Sequence, residues 1–233
     1  MKAILNPKPV ALSLKSGFGN QSMQVNHLFL TLLLALVNGN RATADCVSTQ
    51  QPTALIIMGA SCAGKSTVSK ALITALGQNW RLVELDVIEE QLKAAGKDHT
   101  IPNLLAVLVH TANAALAAGD NIVIDTNVYD PILATIATAQ QKYILIDCPL
   151  EALLIRDEQR NQRLQRDPKR AGYARAYLLK THAKFAALKQ RGQYDLTFDS
   201  SINNVNETVR QVQLKLESTK LVGASLVLSS NSD

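Results

Sequence analysis

The stretch TALIIMGASCAGKSTVSKALITAL, residues 53–76, decides the fold. In it a continuous apolar run breaks into glycines, a lysine and hydroxyl side chains before apolar residues return at helical spacing. Residues 59–66, GASCAGKS, match the pattern G-x-x-x-x-G-K-[ST]. Glycines let such a loop bend so that its N–H groups converge on phosphate, and the helix that follows presents the positive end of its dipole. This strand, loop and helix therefore predict a nucleotide-phosphate site.

Each part of this phosphate loop has a predicted role. Lys65 is expected to reach the terminal phosphates as a point charge, and the Ser66 hydroxyl to ligate magnesium. Cys62 is interpreted as a small spacer, with an oxidisable thiol as the alternative. The residues predicted to bind ATP here are Gly59, Ala60, Ser61, Cys62, Ala63, Gly64, Lys65, Ser66 and Thr67.

Two carboxylates follow apolar strand-like runs. Asp125 ends NIVID, and carboxyl ends of parallel strands open into the ligand crevice, so we predict that Asp125 lies on the metal side of the site. Asp86 ends RLVELD and is predicted to accept a proton from a substrate hydroxyl that attacks the terminal phosphate. The alternatives are a turn or cap role for Asp125 and a helix cap at Val87 for Asp86.

Arginines recur at 156, 160, 163, 166 and 170 in the next helical segment. Spacings of four and seven place Arg156, Arg160 and Arg163 on one helical face. Phosphoryl transfer spreads negative charge, so these three are predicted to form a closing lid. The alternative is a solvated face whose partners are Asp157 and Glu158.

Composition restricts the class of protein. The chain has 233 residues, of which 47% are hydrophobic and 18% charged, as expected for one globular domain plus appendages. Residues 1–44 hold four of the 24 lysines and arginines and no acid, which leaves 20 basic against 19 acidic residues beyond them, so no nucleic-acid partner is expected. Three cysteines, Cys46, Cys62 and Cys148, are too few for a disulfide framework and lack zinc-site spacing, which favours a reducing compartment.

The N-terminal segment predicts targeting. The apolar run 28–37, LFLTLLLALV, is too short to span a bilayer and is followed by Ala42-Thr43-Ala44, a small-x-small pattern. Residues 1–44 are therefore interpreted as a signal segment, with a packed helix or an organelle transit segment as alternatives. The predicted mature domain does not insert stably into a membrane. Because ATP is scarce outside cells, the location stays open between export or delivery and action in a cytosol.

Beyond a linker at 45–52, strand-like and helix-like segments alternate through a predicted domain at 53–219, with a tail at 220–233. Continuous apolar strands such as IVI and YILI indicate a parallel sheet with helices on both faces, an α/β fold of three layers. Residues 131–140 are predicted as helix, the last helix is predicted over 206–217, and LVGASLVLSS is left open between a strand and a packed tail.

These motifs together resemble one family. GASCAGKS, LDVIEEQL, NIVIDTN, the spacing Cys148-x7-Arg156-x3-Arg160-x2-Arg163 and YDLTFDSS are similar, in the same order, to the chloramphenicol phosphotransferase-like group of P-loop kinases. The resemblance implies a five-stranded sheet of order 2-3-1-4-5 and ATP-dependent phosphorylation of a small-molecule hydroxyl with Mg2+. It also implies Asp86 as catalytic carboxylate, Lys65 and Ser66 as phosphate and magnesium contacts, a lid of arginines, and Asp199 and Ser200 beside the adenine base.

The sequence also departs from that family. Thr126 replaces a second acid after Asp125, the stretch between Asp86 and Asn121 looks shorter, and residues 171–192 look longer, so chloramphenicol itself is not the expected substrate. Zeta-toxin-like sugar-nucleotide kinases and polynucleotide kinase-like domains share the loop and the lid. The alternatives are therefore a nucleotide-dependent effector and a kinase of nucleic-acid ends, the second disfavoured by the near-neutral charge of the domain. The oligomeric state is not predicted.

Overall fold

The computed structural model describes residues 51–137 and 140–229, with side chains described as far as residue 218. Five strands form one sheet in the order β2-β3-β1-β4-β5, and every pairing is parallel. The strands are β1 (Thr53–Met58), β2 (Trp80–Glu84), β3 (Asn121–Asp125), β4 (Gln140–Asp147) and β5 (Leu196–Asp199). The predicted parallel sheet and its order 2-3-1-4-5 are confirmed.

Helices cover both faces of the sheet, as predicted. They are α1 (Lys65–Leu76), α2 (Leu85–Ala94), α3 (Ile101–Ala117), α4 (Leu150–Arg163), α5 (Pro168–Gln190) and α6 (Val205–Ser229), with a 3-10 helix at Pro131–Thr135. One core cluster takes apolar residues from α2, α3 and the second half of α5, and the other from α1, α4 and α6. This three-layer arrangement follows from parallel strands, whose crossover helices must pack on the faces of the sheet.

The central strand explains the continuous apolar run that opens the motif. All six residues of β1 are buried, because β3 and β4 flank it and helices cover both its faces. Ile56 and Met58 point into one core cluster, and Leu55 and Ile57 into the other. Because side chains alternate between the two faces of a strand, β1 places apolar residues in both cores. The phosphate loop comes directly after this fully buried strand.

Two predicted boundaries were wrong. The helix predicted over 131–140 is only a 3-10 helix, capped by the Asp130 side chain, which accepts from the Ile132 amide at 3.0 Å. From Gln140 the chain is already strand, because Gln140 pairs with Thr53 of β1. Helix α2 begins at Leu85, so Asp86 lies in its first turn while Glu84 occupies the cap position, and the alternative role of Asp86 as a cap is not observed.

The last helix is longer than the sequence predicts. It runs without a break from Val205 to Ser229, past the predicted end at 217 and into the segment interpreted as a tail. No proline interrupts this stretch, and Leu and Ala are good helix formers. The predicted signal segment at 1–44 lies outside the described residues. Among the residues that are described, no helix is both long and apolar enough to cross a bilayer.

Candidate active site

A cavity of about 340 Å³ opens beside the phosphate loop and the carboxyl end of β3. It brings together most of the predicted site residues from four separate segments. Its lining comprises Ser61, Cys62, Gly64, Lys65, Ser66 and Thr67 of the loop, Asp86, Asp125, Thr126, Asn127, and Arg156, Arg160 and Arg163 of α4. Parallel strands meet at one edge of the sheet, which is why residues far apart in sequence converge here.

The phosphate loop adopts backbone conformations that its sequence anticipates. Gly64, which precedes α1, has a φ of 94°. Gly59 approaches β4 so closely that a Cβ at this position would lie 2.2 Å from the Ile146 carbonyl oxygen. Cys62 also has a positive φ, of 64°, although it is not glycine. Gly59, Ala60 and Ala63 do not line the cavity, and the two alanines are buried beneath it.

Lys65 is the buried cation of the site. Its side chain folds back along the loop, where Nζ donates to the Ala60 carbonyl oxygen at 3.0 Å. Burial lowers the pKa of Lys65, while the charges of Asp125 and Asp86 oppose that shift. The ammonium group therefore lies within electrostatic reach of both carboxylates that the sequence singled out.

Asp125 and Ser66 place two side-chain oxygens beside this lysine. Asp125 is 7% exposed, and burial raises its pKa, against the opposing effects of the Lys65 charge and a hydrogen bond from the Ser66 side chain. Mg2+ prefers hard oxygen ligands and commonly takes only one or two from the protein. Within the described ranges no group of three or more His, Cys, Asp or Glu residues is arranged to hold a metal. The Ser66 and Asp125 oxygens thus fit magnesium as a partial ligand set.

Asp86 lies across the cavity from the loop, in the first turn of α2, and its side chain is exposed. One turn later, Glu89 forms an ion pair with Lys93. Asp86 is thus the carboxylate of this helix that lines the cavity.

The three predicted lid arginines differ in their contacts. Arg156 donates from Nη1 to Ser200 Oγ at 2.9 Å and to the Cys62 carbonyl at 3.3 Å, and from Nη2 to the Ser200 carbonyl at 2.8 Å. It therefore ties α4 to the phosphate loop and to the segment after β5. Arg160 and Arg163 line the cavity, and in the part of the chain that the structure describes neither forms an ion pair.

The acids of α4 do not neutralise these arginines. Asp157 is buried and accepts from Asn161 Nδ2 at 3.3 Å, and the Asn161 side chain in turn accepts from Arg166 at 3.0 Å. Glu158 accepts from Gln162 at 3.0 Å. Both potential partners are thus engaged elsewhere, which leaves the charge of Arg160 and Arg163 directed at the cavity.

Asp199, the last residue of β5, and Ser200, which follows it, are predicted to lie beside adenine but lie outside the cavity lining. Asp199 accepts from the Ser201 hydroxyl and amide at 2.6 and 2.8 Å, and these bonds lower its pKa. Ser200 accepts hydrogen bonds from the cavity residue Arg156. Their role toward adenine stays a prediction.

Sequence reasoning gave no site role to two lining residues, Thr126 and Asn127, although both lie in the quoted motif NIVIDTN. The Thr126 amide donates to the Ile57 carbonyl at 3.1 Å, and its hydroxyl accepts from the Val128 amide at 3.1 Å, so this turn is held at the end of β3. Asn127 is thereby fixed beside Asp125. The available signal was two polar residues directly after a strand end, at the edge where ligands bind.

The strand order, the phosphate loop and the flanking helices define a P-loop kinase fold. A family model described as "AAA domain" matches residues 55–188, more than half of the chain, and the chain therefore belongs to this family. No curated protein gives a significant match.

Solved structures share the fold at low identity. A protein from Chloroflexus aurantiacus described as a "putative kinase" is 22% identical with a TM-score of 0.54, over 73% of this chain and 99% of that one. A gluconokinase from Sinorhizobium meliloti is 18% identical with a TM-score of 0.49, over 78% and 99%. A shikimate kinase from Aquifex aeolicus is 20% identical with a TM-score of 0.43, over 72% and 99%.

Proposed function

We propose that the protein is an ATP-dependent phosphotransferase that acts on a hydroxyl group of a small molecule. The observation that supports this most directly is the convergence of Lys65, Asp125 and Asp86 on one cavity, where both carboxylates act on the buried ammonium. Binding ATP alone needs a cation and a metal-side oxygen. The second, exposed carboxylate is what a reaction with an acceptor hydroxyl adds.

In this proposal the loop amides and Lys65 hold the β- and γ-phosphates of ATP at the start of α1. Ser66 and Asp125 would hold Mg2+, which when bound neutralises phosphate charge during transfer. Asp86 accepts the proton of the acceptor hydroxyl while the hydroxyl oxygen attacks the γ-phosphorus. The bond between the γ-phosphorus and the β-phosphate oxygen breaks. Arg160 and Arg163 neutralise charge that spreads over the transferred group.

Arg156 has a different proposed part. Its contacts with Ser200 and the Cys62 carbonyl hold the loop against the segment after β5, so Arg156 both lines the cavity and positions the phosphate loop. The resemblance to chloramphenicol phosphotransferase-like kinases supports an alcohol acceptor. It does not extend to the antibiotic, because the region between α2 and β3 differs.

The experiment is a substitution of the proposed base. Asp86→Asn should reduce acceptor phosphorylation by about 10²–10⁴-fold, because a positioned base contributes about that much. The readout is mass spectrometry of a cell metabolite extract incubated with protein and γ-phosphate-labelled ATP, with Mg-ATP affinity followed by calorimetry. Glu90→Gln, an exposed acid one turn along the same helix, is the matched control.

Retained ATP affinity with lost transfer in Asp86→Asn, and full transfer in Glu90→Gln, supports the proposal. Unchanged transfer in Asp86→Asn would place the base elsewhere. Slow ATP hydrolysis without any labelled acceptor, in wild type and variant alike, would instead identify a nucleotide-dependent effector.

A further inference from the structure

Asn127 lines the cavity, yet the proposed reaction gives it no part. Its backbone is held in place, because the buried Thr126 donates its amide to the Ile57 carbonyl and accepts from the Val128 amide. The Asn127 side chain is half-buried, and among the residues that the structure describes its carboxamide makes no hydrogen bond. A carboxamide has two donor hydrogens and an acceptor oxygen, so both kinds of group are available to a ligand in the cavity.

The register of the sheet places Asn127 next to the proposed base. Strands β2 and β3 are neighbours, and Glu84 pairs with Asp125 at their carboxyl ends. Asp86 and Asn127 each follow this pair by two residues, and both line the cavity. Because adjacent strands lie about 4.8 Å apart, side chains from these two segments can contact one small molecule at the same time.

The strand order also places Asn127 between the base and the phosphates. In the order β2-β3-β1, the turn after β3 lies between the start of α2, which carries Asp86, and the phosphate loop after β1. An acceptor hydroxyl that contacts Asp86 while it attacks the γ-phosphate therefore lies close to Asn127. Neighbouring parts of the same acceptor molecule come within reach of the carboxamide.

The charges around Asn127 favour a neutral group as its ligand. Two carboxylates, Asp86 and Asp125, lie on the same edge of the sheet, whereas Arg160 and Arg163 come from α4, which follows β4 on the far side of β1. An anionic group at Asn127 would be repelled by both acids. A hydroxyl both donates and accepts hydrogen bonds, as a carboxamide does, and so matches Asn127 in both respects.

We infer that Asn127 is a specificity residue of the acceptor site, whose carboxamide binds a second hydroxyl on the carbon next to the one that is phosphorylated. This inference rests on the proposed kinase function and narrows the acceptor to compounds with neighbouring hydroxyls. Asp86 accepts the proton of the first hydroxyl, while the bond to Asn127 holds the second. Two contacts on adjacent oxygens fix the direction from which the first hydroxyl approaches the γ-phosphate.

The test compares the full-length wild type with Asn127→Ala and a control, Asn79→Ala. Asn79 is exposed and directly precedes β2, so it lies at the opposite, amino end of the same sheet. Two pairs of acceptors differ by the neighbouring hydroxyl: glycerol with propane-1,3-diol, and cis-cyclohexane-1,2-diol with cyclohexanol. The acceptor labelled in the metabolite extract, and its deoxy analogue, join the same kinetic comparison.

Wild type should lose about tenfold or more in kcat/KM from the diol to its deoxy analogue, the upper scale of one hydrogen bond. Asn127→Ala should raise KM for the diol by about tenfold and should no longer distinguish the two compounds. Its Mg-ATP affinity and its free energy of unfolding should match those of wild type, which a merely structural role for Asn127 would not allow. Asn79→Ala should retain the full preference for the diol.

An extract acceptor without a neighbouring hydroxyl, or the same preference for the diol in wild type and Asn127→Ala, would overturn this inference. Weaker Mg-ATP binding in Asn127→Ala with an unchanged KM for the acceptor would also overturn it, since Asn127 would then act on the nucleotide. All three outcomes leave the kinase proposal intact. Absence of any labelled acceptor would overturn both proposals, and calorimetry with Mg-ATP would then separate a nucleotide-binding effector from a protein that does not bind ATP.

Discussion

Gly59 shows how a single residue fixes the geometry of the phosphate loop. It passes the Ile146 carbonyl with no room for a side chain, since a Cβ would lie 2.2 Å from that oxygen. The obstacle is backbone of a central strand, which cannot rotate away as a side chain would. Gly59→Ala should therefore lower the free energy of unfolding by about 3 kcal/mol, measured by urea denaturation.

Gly172 supplies the matched control for this substitution. It lies in α5, and a Cβ there meets nothing within 4 Å. Gly172→Ala should raise the free energy of unfolding by about 0.5–1 kcal/mol, because alanine loses less backbone entropy in a helix. Equal effects of the two substitutions, in sign and size, would contradict the close approach described for Gly59.

Among individual residues, site positions were predicted most accurately where a motif or a strand end fixes both the residue type and its place in the chain. The phosphate loop, Asp86 and Asp125 could be placed because a motif or a strand end fixes their position before folding. The position of Asn127 in the site could not be predicted, since a single amide after a strand is not by itself a signal of function. The hydrogen bond from Arg156 to Ser200 could not be predicted either, because 44 residues separate the two partners.

Helix α4 is the element in which one spacing pattern serves two purposes. All three predicted lid arginines line the cavity, and Arg156 also donates three hydrogen bonds to backbone and side-chain oxygens. Arg156→Gln should lower the free energy of unfolding by about 2 kcal/mol, the scale of hydrogen bonds to a charged donor, and weaken Mg-ATP binding by loosening the loop. Urea denaturation and calorimetry of the same samples measure both quantities.

Arg163→Gln is the control within the same helix. In the described chain this side chain has no ion pair to lose, so the free energy of unfolding should stay within about 0.5 kcal/mol of wild type. Acceptor phosphorylation should still fall, because a cation that faces the cavity is removed. Equal destabilisation by both variants would mean that Arg156 has no special positioning role.

At the level of elements, the alternation of strands and helices was predicted because apolar periodicity is set locally, but α6 runs to Ser229, well past its predicted end at 217. The early start of β4 has a tertiary cause. Pairing of Gln140 with Thr53 extends β4 into a segment with helical composition. A single sequence does not show which strand a segment will pair with.

For the whole molecule, the distribution of charge matters more than its total. Beyond residue 44 the chain is nearly neutral, with 20 basic and 19 acidic residues, although α5 within it carries six cations and no acid. The excess of cations on α5 is therefore balanced by acids elsewhere in the domain. A polynucleotide backbone needs several cationic contacts along a groove, which a nearly neutral domain does not favour.

We therefore expect nucleic acids to be poor partners and poor acceptors. Single-stranded RNA and DNA with a free 5′-hydroxyl should bind with a Kd weaker than about 10⁻⁴ M at physiological salt, measured by fluorescence anisotropy. They should be labelled far more slowly than small-molecule acceptors, because a nearly neutral domain offers few phosphate contacts and so releases few counterions from a polynucleotide. Tight binding with a steep dependence on salt, together with rapid 5′ labelling, would instead make α5 a nucleic-acid contact and the protein a kinase of polynucleotide ends.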